Sequence, residues 1–112
     1  MKKSKIVLES WGSMEWLVDS SLIDGAQISV AKMKLNPLAT SPMHKHSNCD
    51  EVIHVLSGEA IQRVNDQYIS ISTGNTVLIP MNSKHQIINN THSEVVLLIS
   101  YSEGSRSYEL VE

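Results

Sequence analysis

Apolar and polar residues alternate at short range along much of this chain, with a period of two. Tyr68-Ile69-Ser70-Ile71-Ser72 puts Ile69 and Ile71 on one face and Tyr68, Ser70 and Ser72 on the other, the pattern of a half-buried strand. Glu51-Val52-Ile53-His54-Val55-Leu56 is a short, largely apolar run that Gly58 ends. Thr76 to Ile79 runs into Pro80, and Glu94 to Tyr101 is a second strongly apolar run. Turn-forming residues separate these pieces at Ser57-Gly58, Asn65-Asp66, Thr73-Gly74, Met81-Asn82-Ser83 and Asn89-Asn90. Strands this short, interrupted this often, predict an all-β sandwich or barrel. Gln27 to Leu35 alternates well enough to form a further strand before Asn36-Pro37. Met14 to Leu17, with Trp11 and Trp16, suits either a short strand or a helical turn. The tail from Gly104 to Glu112 is polar except for Tyr108, Leu110 and Val111, and either adds an edge strand or covers a partner.

Composition strengthens the β reading. The 112 residues include 11 Ile, 10 Val and 10 Leu but only five aromatics and no Phe, and β-branched side chains pack well on pleated sheets. The formal charge of −3 provides no basic footprint for nucleic acid or an anionic membrane. The single Cys49 rules out an intramolecular disulfide and suits a reducing compartment. Ile6-Val7-Leu8 stops at Glu9, too short for the apolar region of a signal peptide, and no stretch approaches the length of a membrane span. The expectation is a soluble, cytoplasmic protein of one domain over 1–112, with N-terminal strands or an arm in 1–26 and a tail in 104–112.

Candidate chemistry centres on histidine. His44 and His46 flank Lys45, so in an extended segment both rings point to one side, roughly 7 Å apart along the chain. Imidazole is the commonest transition-metal ligand. Glu51 opens an apolar strand, where a carboxylate is costly unless a cation faces it. His85 opens the run Gln86-Ile87-Ile88.

Taken together, these residues carry a resemblance. His44-x-His46, four residues, Glu51, six residues, Gly58 resembles the first motif of the cupin superfamily. Gly74, five residues, Pro80, Asn82, two residues, His85, three residues, Asn89 resembles the second. Fifteen residues separate Gly58 from Gly74, a spacing similar to that of small microbial cupins. The core motifs span 38–89. Two positions depart from the family pattern: its opening glycine is Leu38 here, and the glycine after the motif proline is Asn82. The resemblance implies a double-stranded β-helix, a jelly-roll barrel. It also implies that His44, His46, Glu51 and His85 converge on one divalent transition metal per chain (Fe, Mn, Ni, Co, Cu or Zn), with open positions for substrate or dioxygen.

Other residues are weighed around that set. Asp50 is the alternative carboxylate to Glu51; the six-residue count to Gly58 favours Glu51 and leaves Asp50 a solvated loop acid. Gln62 shares a face with Ala60 and Val64. It is either an inward side chain that bonds substrate or a metal-bound water, or a surface glutamine. His54 falls on the face opposite Glu51, as a packed or interface residue. His92 sits in a turn, Cys49 is a loop thiol, and Tyr101 and Tyr108 are packing residues. The inward faces are expected to be aliphatic, with Ile53, Val55, Val64, Ile69 and Ile71 beside Gln62 and no lysine or arginine.

Three functions follow. The first is an oxygen-dependent, dioxygenase-like oxidoreductase on a small, weakly charged, chelating substrate. The second is a redox-neutral isomerase, lyase or cyclase. The third is a non-catalytic small-molecule sensor. Complete ligands favour an enzyme. A 112-residue β domain with open strand edges is expected to form a homodimer, through Trp11, Trp16 and the Leu110-Val111 tail.

Overall fold

The computed structural model describes residues 3–111. Eleven strands follow in chain order: β1 (Lys5–Glu9), β2 (Gly12–Val18), β3 (Ser29–Leu35), β4 (His44–Lys45), β5 (Glu51–Ser57), β6 (Glu59–Val64), β7 (Gln67–Ser72), β8 (Thr76–Ile79), β9 (His85–Ile88), β10 (Val95–Tyr101) and β11 (Glu109–Leu110). They form two sheets, ordered β1-β2-β3-β10-β5-β8 and β11-β4-β9-β6-β7. Every pairing between them is antiparallel. The architecture is the jelly-roll barrel of a double-stranded β-helix. The segment that suited either a strand or a helical turn is strand β2, and the tail supplies the edge strand β11.

Alternation decides what lies between the sheets. Along β10, Val95, Leu97, Ile99 and Tyr101 are buried while the residues between them are half-exposed. β10 pairs with both β3 and β5, bringing Ile99 level with Ala31 and Ile53, and Tyr101 level with Ser29 and Glu51. Directly paired residues share a face, so the inward row Ala31-Ile99-Ile53 continues to Trp16 on β2. In the second sheet His85 is level with both His44 and Val64, and Gln62 with Ile87.

Both departures from the family glycines keep a glycine's backbone. Leu38 has φ 61° and Asn82 has φ 68°. Asparagine accepts this left-handed conformation readily, whereas leucine is strained there. The turns form all the same: the Asn82 amide donates to the His46 carbonyl at 2.8 Å, and the Leu38 amide to that of Thr91 at 3.0 Å.

The expected aliphatic face needs correction. Val55 and Ile71 are core residues, but Ile69 is 38% exposed on the edge strand β7. It is level with Gln62, yet no strand covers it on its far side.

Candidate metal centre

The four predicted ligand residues come from both sheets. His44 on β4 and His85 on β9 belong to one, Glu51 at the start of β5 belongs to the other, and His46 follows β4. One ligand atom from each lies within 4.8 Å of all the others. Glu51, His46 and His85 are about 2% exposed, among the most buried polar residues of the chain. The Nε2 atoms of His46 and His85 lie 2.9 and 3.0 Å from Glu51 Oε1.

The far side of each ring fixes its tautomer. Nδ1 of His44 faces the Pro42 carbonyl at 2.7 Å, that of His46 the Ser107 carbonyl at 2.6 Å, and that of His85 the Ser83 carbonyl at 2.8 Å. A carbonyl only accepts, so each Nδ1 carries the hydrogen and donates it. In the neutral rings every Nε2 then presents a lone pair to the shared space, opposite a carboxylate that has only acceptors. His46 Nε2 is buried without a well-directed hydrogen-bond partner. Such a convergence of lone pairs requires a cation, and three imidazoles with one carboxylate fit a divalent transition-metal ion.

Electrostatics without an ion agree. Burial, helped by the neighbouring His85, holds His44 down to about 4. Burial alone would raise Glu51, but the His46 and His85 rings set against its Oε1 outweigh it and hold the carboxyl at about 2. Burial likewise disfavours charge on His85, yet Glu51 wins and raises its pKa.

Asp50 is exposed, and its carboxylate accepts from the Met81 amide at 2.9 Å. It braces the loop before His85 rather than joining the cluster. Gln62 faces inward and is fully buried. Its Nε2 donates to the carbonyls of Arg63 and Gln86, while Oε1 has no partner. His54 lies on the opposite face and bonds Thr76 Oγ1 at 2.8 Å, and His92 is exposed. Cys49 is buried, which raises its thiol pKa.

Beside the ligands is a cavity of about 50 Å³, lined by His44, Glu51, Gln62 and His85 together with Ile53, Ile99, Tyr101, Arg106 and Tyr108. One expectation fails here: an arginine is present. Tyr108, 44% exposed, packs as expected, and the ring it stacks on is His44, with centroids 4.7 Å apart. The Arg106 guanidinium lies 4.8 to 5.2 Å from the ring centroids of Trp16, Tyr101 and Tyr108. Both residues belong to the segment after β10, whose sequence is polar except for Tyr108, Leu110 and Val111. Hydrogen bonds from 47–48 to Ser105 and Ser107 clip that segment to the His44-His46 loop. A pairing across 61 residues leaves no local signal. Trp16 is covered by Arg106 and only 9% exposed, so it is not available to a partner.

Comparisons with known proteins agree with this geometry. The chain is 27% identical over 95 residues to Germin-like protein 1 of Brassica napus; the match covers 80% of this chain and 46% of that protein, so the chain spans about half the length of this relative. An oxalate decarboxylase of Lactobacillus farciminis, solved as a formate complex, superposes with a TM-score of 0.88 at 22% identity, over 97% of this chain and 34% of that one. The plu4264 protein of Photorhabdus luminescens superposes with a TM-score of 0.73 at 26% identity, over 87% and 79%. The family model for the cupin domain matches residues 31–101, well over half of the sequence, and the chain therefore belongs to the cupin family.

Proposed function

We propose that the protein is a mononuclear metal-dependent enzyme acting on a small molecule that chelates the metal through oxygen. The observation that carries this is the set of three Nδ1-anchored imidazoles and Glu51, which turn their lone pairs to one point on a cavity wall. When bound, the ion would supply Lewis-acid or one-electron chemistry. The chain's own residues do the rest. Carbonyls of Pro42, Ser83 and Ser107 hold the rings in register, and the apolar walls restrict water. Gln62 Oε1, the unpartnered acceptor, accepts a hydrogen bond from a hydroxyl of the ligand or from a water and so orients it.

Our first reading of the reaction is an oxygen-dependent oxidoreductase. A redox-neutral lyase is the second, favoured by the likeness to oxalate decarboxylases, one of which has Mn(II) centres. Manganese is accordingly the first ion to test. Turnover that consumes dioxygen and stops under argon supports the first reading; full activity of the Zn(II) form under argon supports the second and eliminates the first. Gln62→Leu is expected to lower turnover more than metal content, because an orienting hydrogen bond does not hold the ion.

We further propose a homodimer. Its support is the outer face of the six-stranded sheet, where Val52 and Leu78 are paired neighbours, 38% and 61% exposed, close to Leu98 and His54. No helix of the described chain is long and apolar enough to cross a membrane. The free thiol of Cys49 supports a reducing, cytoplasmic setting.

A further inference from the structure

Arg106 stands out among the chain's cations. Lys5, Lys45, Arg63 and Lys84 each have an acidic partner; Lys3, Lys32, Lys34 and Arg106 make no ion pair among the described residues, and of these four only Arg106 lines a cavity. It is not a freely solvated surface arginine either. Three aromatic rings lie within cation–π distance of its guanidinium carbon, while no carboxylate neutralises its charge. The position is also unusual. Arg106 lines the inner cavity beside Glu51 and His85, and it lines a second, outer groove of about 400 Å³ with Trp11, Trp16 and Tyr108. It therefore stands at the passage between solvent and the metal ligands. The one carboxylate in the inner cavity, Glu51, is engaged by His46 and His85. Glu9, on the groove wall, forms no ion pair with it.

We propose that Arg106 anchors an anionic group of the ligand, so that the site takes a small acid with a metal-chelating oxygen pair at one end and a carboxylate at the other. Aromatic rings attract the cation without using its N–H groups as a carboxylate would, and a guanidinium can bind a carboxylate through two parallel hydrogen bonds. The apolar cavity walls strengthen that attraction by excluding water. This revises the weakly charged substrate expected from the sequence, and it deepens the metal-enzyme reading, on which it rests.

The test uses Zn(II)-loaded protein, which cannot oxidise the probes, and three ligands: catechol, 3,4-dihydroxybenzamide and 3,4-dihydroxybenzoate. All offer the same chelating diol, and only the last carries a carboxylate. Calorimetric titration of the wild type is expected to favour the acid over the amide by about tenfold or more. Arg106→Gln is expected to abolish that preference while keeping catechol affinity and zinc content. An acid-to-amide ratio unchanged in Arg106→Gln would overturn the proposal and leave Arg106 as a staple among aromatic rings, read out only as a lower melting temperature. A second measurement separates this proposal from the metal reading. In metal-free protein, benzoate should shift the emission of Trp11 and Trp16 in the wild type but not in Arg106→Gln. Loss of zinc or catechol binding in both proteins would count against the metal reading, and the benzoate response would still decide Arg106. Identical benzoate responses, or none in either protein, would overturn the anion site.

Discussion

Two residues show how local chemistry is held against local preference. Leu38 takes a left-handed φ of 61° with its side chain 62% exposed, so it has little burial to offset the strain of about 1–2 kcal/mol. Glycine would relieve that strain and lose about 0.5–1 kcal/mol in chain entropy. Leu38→Gly is expected to stabilise the fold by up to about 1 kcal/mol, seen as a melting temperature a few degrees higher; a lower one would show that the strain is absent. His85 provides a second test. In the metal-free protein Glu51 raises the pKa of His85 from its ordinary value, which favours a proton on Nε2, the atom a metal needs. Protons therefore compete with the ion: apparent affinity should rise with pH and level off once the raised pKa is passed. Calorimetry in buffers of different ionisation enthalpy should show net proton release on ion binding near neutral pH, falling off as the pH is raised. No release would contradict the coupling of His85 to Glu51.

At the scale of elements, legibility followed the locality of the signal. Strands β3 and β5–β10 announce themselves by alternation and turn residues, and most of them have one face on the core; β7, at a sheet edge, buries only Ile71. Strand β1 does not: all five of its residues are exposed, and Ile6-Val7-Leu8 lies on an edge where no core selects its pattern. The ligand residues were readable through spacing, since β4, β5 and β9 each carry one at a fixed distance from a turn. The segment 104–110 was not, because its role comes from contacts with residues some sixty positions away. Gly104 controls that segment. A Cβ there would lie 1.8 Å from the Ala26 carbonyl oxygen, so Gly104→Ala must displace the chain that carries Arg106 and the Ser107 carbonyl. Losing the acceptor that orients His46 is expected to weaken metal binding about 10–100-fold, measured by competition with a chromogenic chelator. Unchanged affinity in a folded Gly104→Ala protein would show that the Ser107 contact does not matter.

At the scale of the molecule, an apolar interior closed by two sheets leaves the outer face of the six-stranded sheet with Val52 and Leu78 exposed. Light scattering of the wild type is expected to report a dimer at high micromolar concentration, and Leu78→Glu a monomer with its metal retained. A monomeric wild type would remove the proposed interface without touching the metal centre. That centre is the main claim, and metal content tests it most directly. Protein purified without added metal, then loaded with Mn(II) and desalted, should hold about one ion per chain by elemental analysis. His85→Ala should lose it, while His54→Ala, altered on the opposite face of the sheet, should keep it. Full occupancy in a folded His85→Ala protein, or none in the wild type, would contradict the assignment of His44, His46, Glu51 and His85 as a single metal site.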